Sequence, residues 1–251
     1  MGALGGMKDF LDHHPELDAS ISVDGGFIEG ITFDATGYRT QEYHFYGTGG
    51  HAYMAFGEMA NPLHAAARAV AKIADLQVPR QPKTTYCVSN FHAGTDAAIH
   101  AIPAQATVKI NFRAQTTEQL EELDQAIEGC VKLGCLEESD RWGKDRIRYD
   151  RKTLCDVPAG KQDPHAPIVE AAYAIVEWLG KQPYLVQGGS VNGNRAVAKG
   201  LPCVSIGLNE FDFKCHSLEE FFPTKEAYLC PQELFLLLLM LAGSEADPSV
   251  L

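Results

Sequence analysis

"ATVKINFRAQTTEQLEELDQAIEGCV", Ala106 to Val131, changes its period halfway along. Val108, Ile110 and Phe112 alternate with polar residues, the two-residue period of a strand with one buried face. From Thr116 onward, Leu120, Leu123, Ile127, Cys130 and Val131 recur at helical spacing, and Thr116 with Gln119 makes a capping box that opens the helix. Upstream lies a second strand, "TTYCVSNFH" (Thr84 to His92). It is preceded by a helix that Asn61 caps and Pro62 begins, with Leu63, Ala66, Ala67, Val70, Ile73 and Ala74 on one face. "RTQEYHFYG" (Arg39 to Gly47) comes before that helix as a strand, and "RIRYDRKTLC" (Arg146 to Cys155) closes the set. The order β-α-β-β-α-β is the ferredoxin-like arrangement, here over residues 39–155. Such a sheet has one helical face, one open face and two edges, and the edges are where a second copy pairs.

The flanks, residues 1–38 and 156–251, read as one α/β domain interrupted by the first. A short helix, "MKDFLDHH", leads to the strand "SISVDGG". Behind the insert come a helix over residues 164–180, the strand "YLVQ", the loop "GGSVNGN" (Gly188 to Asn194), a short helix and the strand "PCVSIG". This alternation predicts a largely parallel sheet. The last helix opens at Pro231, and its run "LFLLLLMLA" (Leu234 to Ala242) predicts a helix buried on all sides.

The chain carries 33 acidic against 21 Lys and Arg residues, a formal charge of −12. That surface repels phosphate backbones and anionic lipid, which argues against nucleic acid and membrane as partners. The longest apolar run is far short of the ~18 residues a bilayer requires, and "MGALGGMKDF" lacks the apolar centre of a signal peptide. Seven scattered cysteines with no C-x-x-C pair exclude a zinc ribbon and point to reduced thiols in the cytoplasm.

Several residues are of types that carry chemistry. Asp24 ends a strand, where carboxylates serve as metal ligands or catalysts in open α/β sheets; it is equally an ordinary Asp-Gly turn residue. His216 lies in the loop "LNEFDFKCHSLEEFF", as a ligand or as a neighbour of the Ser217-x-x-Glu220 cap. The backbone of "GGSVNGN" suits an anion such as a carboxylate. Arg113 in "INFRAQ" either clamps a carboxylate or decorates a strand. His100 in "AIHAIPAQ" and His51 in "YGTGGHAYMAFG" are presented on turns, the latter by flanking glycines.

Together the segments "LGGMKDFLDHH", "ISVDGG", "YGTGGHAYMAFGEMANPLHAAARAVAKIADL", "HAIPAQATVKINFRAQ", "KGLPCVSIG" and "CHSLEEFF" resemble the dinuclear zinc metallopeptidases that include peptidase T, acetylornithine deacetylase, aminoacylase and carboxypeptidase G. The resemblance covers nearly the whole chain in the family's order. It implies a zinc-dependent hydrolase of small peptides or N-acyl amino acids, built as a homodimer through its lid domain. By position, Asp24 matches a ligand of one zinc and His216 a ligand of the other. His51 matches the lid histidine that reaches the partner subunit's site and polarises the scissile carbonyl. Arg113 matches the lid arginine that binds the substrate carboxylate, and Gly188, Gly189 and Ser190 match the loop that also receives it.

Departures from the pattern set a second expectation. The family's His-x-Asp, bridging Asp and Glu-Glu pair have no counterpart here, the last falling immediately before Met1. His100 stands where asparagine is usual, and Val191-Asn192 stand where Thr-Asp is usual. The expectation is a partial catalytic domain, inactive alone. The alternative is a non-catalytic relative that dimerises or binds small carboxylates.

Overall fold

The computed structural model describes residues 3–143, 146–209, 214, 217–243 and 248–251. The chain divides into two compact units, one of residues 1–37 with 157–251 and the other of residues 38–156.

In the second unit the strands β3 (Gly37–Tyr46), β5 (Thr84–Ala93), β7 (Gln105–Ala114) and β8 (Arg148–Val157) form one sheet in the order β5-β7-β3-β8. Numbered within the insert this order is 4-1-3-2 read from β8, that of a ferredoxin-like sheet. Helices α2 (Pro62–Ala74) and α3 (Thr117–Trp142) supply the rest of its core. Tyr43, Phe45, Val108, Ile110 and Phe112 from the strands meet Ile73, Leu120, Ile127 and Val131 from the helices. The opposite face is polar: Glu42 Oε1 contacts His44 Nε2 at 2.7 Å, and Lys109 Nζ lies 2.9 Å from Glu42 Oε2. A small ribbon, β4 (Gly50–His51) with β6 (Ala101–Ile102), stands apart from the sheet.

The caps are where the sequence places them. Asn61 Oδ1 accepts the Leu63 N–H at 2.9 Å, and Thr116 Oγ1 accepts that of Gln119 at 3.2 Å. The buried face of α2 is rotated from the expected one: Ala65 and Ala69 are buried, whereas Ala67 and Ala74 are exposed. The cause is a close helix crossing. A methyl group on Gly134 of α3 would sit 2.6 Å from the Ala65 carbonyl oxygen and 2.7 Å from the Ala69 nitrogen. The small residues of α2 therefore turn toward α3. At the same crossing Glu138 is completely buried, accepting from the Asn61 N–H at 3.2 Å, Trp142 Nε1 at 2.9 Å and Arg68 Nε at 3.1 Å.

The first unit holds β1 (Ser20–Phe27), β2 (Gly30–Thr32), β9 (Tyr184–Val186) and β10 (Cys203–Asn209) in the order β1-β10-β2-β9. Its sheet is mixed, which corrects the largely parallel expectation. β1 runs parallel to β10 and β2 parallel to β9, but β10 and β2 are antiparallel. The sequence reading missed β2, a three-residue strand whose reversal follows within a few residues of β1. Alternation along β10 separates two cores. Val204 and Ile206 pack with α4 (Pro167–Trp178) and α6 (Leu229–Ala242), and Cys203 packs with Leu11 of α1 (Gly5–His13) and with α5 (Gly193–Ala198).

α6 is not buried all round. Leu237 and Leu241 face the core while Phe235, Leu238 and Leu239 are exposed, because α6 rests on α4 and β10 with one face only. No described helix is long and apolar enough to cross a membrane.

Two tests follow from this packing. Gly134→Ala forces α2 and α3 apart and should destabilise the insert by about 1–3 kcal/mol, read by urea unfolding. Glu233 on α6 is fully buried with both carboxylate oxygens unpartnered among the described residues, and burial pushes its pKa from 4.5 to about 8. A carboxyl raised in the folded state favours folding most below its unfolded value, and that contribution is lost as pH rises toward the folded one. The stability of the chain should therefore decline between about pH 5 and pH 8, and Glu233→Gln should flatten that decline in unfolding measured across pH.

Candidate functional site

The ends of parallel strands are where open α/β sheets bind ligands, because the loops leaving them splay around a crevice. Here that place is the C-terminal end of β1 and β10. Asp24 pairs in register with Gly207, and the register then shifts before Phe27. The irregularity needs Gly207, since a methyl group there would lie 2.1 Å from the Phe27 carbonyl oxygen. Asp24 is exposed, and its Oδ1 accepts the Gly25 N–H at 2.7 Å. It opens onto a cavity of about 250 Å³ walled by Thr32, Tyr184, Val186, Val191 and Ser205.

Val191 belongs to the loop expected to receive a carboxylate, so the structure brings this loop and Asp24 to one cavity. Of the expected loop residues, Gly189 and Ser190 are half-buried and Asn192 is exposed at the start of α5, with Val191 the one that reaches the cavity wall among the described residues. The residue that shapes the loop is Asn194, which the sequence reading passed over. Its Oδ1 accepts the Val191 N–H at 2.9 Å, while its Nδ2 donates to the carbonyls of Gly189 at 3.0 Å and Thr36 at 2.8 Å. Asp34 holds the other end by accepting the Gly188 N–H; burial pushes its carboxyl up from the usual range. The sequence signal was a second Asn in "VNGN", placed where a helix begins and side-chain amides satisfy free backbone groups.

His216, the second expected ligand, lies outside the described residues. Asp24 is left as one oxygen donor, and among the described residues no group of three or more His, Cys, Asp or Glu side chains is placed to hold a metal ion. A catalytic zinc takes three protein ligands. The described residues therefore do not fit a zinc site by themselves.

In the insert, His51 and His100 share the small ribbon. His51 pairs with Ala101, and the Ala52 N–H donates to the His100 carbonyl at 2.8 Å. Both side chains are exposed. The chain turns back after His51 so that the Tyr53 and Met54 N–H groups point at its Nδ1, at 3.2 and 3.3 Å. An Nδ1 that accepts two backbone donors carries no proton, so the ring proton is assigned to the outward Nε2. Arg113 is exposed on the open face of β7, its guanidinium 5.4 Å from the centre of the Tyr38 ring and its Nε donating to Asn111 Oδ1 at 3.2 Å. Its two terminal amino groups meet no carboxylate among the described residues. The ribbon joins β7 at Gln105 and Arg113 stands eight residues further along, about 27 Å at strand rise. His51 and His100 therefore lie together, and Arg113 lies at the far end of the sheet from them.

The chain thus combines an interrupted α/β unit, a ferredoxin-like insert, a carboxylate at a register shift in β1 and a histidine presented on the insert. The peptidase dimerisation domain of the M20 family matches residues 35–138. Succinyl-diaminopimelate desuccinylase of Nitrosospira multiformis is 27% identical over 177 residues, which are 68% of this chain and 43% of that protein. Its counterpart in Burkholderia ambifaria is 36% identical over 108 residues, 41% of this chain and 28% of that protein. Among solved structures, aminopeptidase PepT of Bacillus cereus superposes with a TM-score of 0.74 at 19% identity, and a tripeptidase of Staphylococcus aureus with 0.76 at 17%. Each superposition covers 94% of this chain and 60% of the other. The chain is similar in sequence to these M20-type proteins and shares the fold of the two solved peptidases, and it spans between about a quarter and three fifths of the length of these relatives.

Asn194→Ala leaves the Val191 N–H and the Thr36 carbonyl without their partner, while the Gly189 carbonyl keeps the Thr36 N–H. It should cost about 2–4 kcal/mol in unfolding experiments and speed hydrogen exchange of the Val191 amide, while Asp34→Asn should affect chiefly the Gly188 end.

Proposed function

We propose that this chain supplies substrate-holding parts of a zinc-dependent amidohydrolase that works as a cytoplasmic homodimer on small peptides or N-acyl amino acids. The separation of His51 and Arg113 carries this reading. A substrate of a few residues cannot touch both within one copy, and two copies bring a histidine and an arginine from opposite ends of their sheets to one molecule. Arg113 then grips the substrate carboxylate through its planar fork. His51 donates from Nε2 to the amide carbonyl, where negative charge develops as the bond is attacked. His100, beside it on the ribbon, contacts the same part of the substrate. Gly189, Ser190 and Asn192 keep the carboxylate-receiving role, and Asp24 and His216 the ligand roles, that their positions in the family imply. The names of the relatives, a desuccinylase and a tripeptidase, suit an amide substrate with free carboxylates. Six described cysteines are free thiols, which suits a reducing compartment.

A second reading keeps the dimer and the carboxylate grip without hydrolysis; Arg113, whose grip on a carboxylate needs no metal, favours it. No bond-breaking step is assigned to the described residues.

Sedimentation and calorimetry test both readings on the 251-residue chain. A dimer at micromolar concentration is expected, binding an N-succinyl amino acid with affinity weakened roughly tenfold by Arg113→Ala. A monomer, or unchanged binding in that variant, overturns the proposal. Two tightly held zinc ions per chain, with tripeptide turnover that His216→Ala abolishes, decide for the hydrolase over the binder.

A further inference from the structure

One feature of the first unit that the proposed function leaves unused lies away from Asp24. A groove of about 460 Å³ runs between α4 and β9. Its floor is apolar, from Val169, Ala174 and Leu185, and Tyr173 lies along it. Glu170, Tyr173, Ala174 and Glu177 form one exposed stripe of α4 at positions i, i+3, i+4 and i+7. The two glutamates stand about 10 Å apart along the helix. Among the described residues no lysine or arginine lines the groove, and the His165 Nδ1 lies 3.3 Å from Glu170 Oε1. Glu177 makes no ion pair with any described residue.

The other wall is a sheet edge. β9 ends the strand order, and its outer side pairs with no strand among the described residues. The Tyr184 N–H points inward, to the Glu29 carbonyl at 2.9 Å. Peptide groups alternate sides along a strand, so the N–H and C=O of Leu185 point outward. Side chains alternate as well: Tyr184 and Val186 face the Asp24 cavity, and Leu185 faces the groove. One residue thus offers both a free main-chain pair and an apolar side chain to the same space.

We propose that this groove docks an extended, lysine- or arginine-bearing segment of a partner polypeptide, which adds as a strand to the edge of β9. Leu185 pairs with it through the backbone, in the manner of strand addition. An apolar side chain of the segment fills the floor over Val169 and Ala174. Basic side chains two residues apart, about 7 Å on a strand, reach Glu170 and Glu177 through their long stems. The chemistry disfavours an acidic segment, which would meet two carboxylates, one of them with only a histidine ring beside it.

The test uses the 251-residue chain and a fluorescein-labelled octapeptide of alternating lysine and valine, with a glutamate-for-lysine peptide as its counterpart. The basic peptide should bind and the acidic one should not. Glu170→Lys with Glu177→Lys should weaken binding about fivefold, and hydrogen exchange at the Leu185 amide should slow on binding. Both glutamates are exposed, so the double variant should fold; its circular dichroism checks this. Glu118→Lys with Glu122→Lys, on the unrelated helix α3, should leave the affinity unchanged. Absence of binding overturns the proposal. So does equal weakening by the two double variants, which would mean attraction to the acidic chain as a whole. Binding without protection at Leu185 overturns strand addition.

Discussion

Burying a carboxylate is expensive unless hydrogen bonds replace the water it loses. Glu138 is wholly buried, and its price is met by three donors, the backbone of Asn61, the indole of Trp142 and the guanidinium of Arg68. Each donor belongs to a different structural task. Asn61 begins α2 and so fixes where the chain leaves the segment after His51. Arg68 ties the next turns of α2 to α3. Trp142 ends α3, and its ring receives the edge of Phe56 at 5.2 Å between centroids. Phe56 lies in the turn whose N–H groups hold His51 Nδ1. One carboxylate, placed where Gly134 lets two helices touch, thereby anchors the segment that presents the candidate catalytic ring.

The division of labour inside the insert follows from its topology. The helical face must be apolar, so binding groups are confined to the open face, the edges and the ends of the strands. His51 and His100 occupy an end, on a ribbon too short to join the main sheet. Arg113 occupies the open face at the other end of β7. A four-stranded sheet is rigid along its strands, so these groups cannot be drawn together by local adjustment. In the proposed dimer, two copies in opposed orientation would remove the obstacle without any change of fold, and β5 and β8 are the sheet edges open to such pairing.

Much of this organisation can be read from the chain because it rests on local chemistry. The period change at Thr116, the Asn61-Pro62 start and the alternation of β7 each declare an element within a dozen residues. Three features cannot be read that way. β2 is three residues long and lacks any periodic signature, so the reversal of the first sheet stays hidden. The rotation of α2 depends on Gly134, which is distant from Ala65 along the chain, and no helical-wheel argument sees that contact. α6 is apolar on every side, which composition alone takes for complete burial, although only the neighbours present decide which face is covered. For the candidate site, residue types on turns were visible as His51, His100 and Asp24. The hydrogen bonds that decide the tautomer of His51 and the shape of the Gly188–Asn192 loop join residues whose roles appear only after folding.

Asn194 shows why that second kind of residue matters as much as the first. A loop offering backbone N–H groups to an anion is useful only if it keeps its shape when the anion is absent. Otherwise, part of the binding energy is consumed in ordering it. Gly188 and Gly189 allow the chain to turn tightly but do nothing to hold it; glycine is the residue that loses most freedom on folding. The buried amide of Asn194 supplies the missing restraint with three hydrogen bonds, and the Asp34 carboxylate fixes the entry to the loop. Asp24 sits on the other side of the same cavity, at the register shift in β1 that Gly207 accommodates. The two walls are therefore set by contacts that need no ligand, and the cavity beside Asp24 is pre-formed.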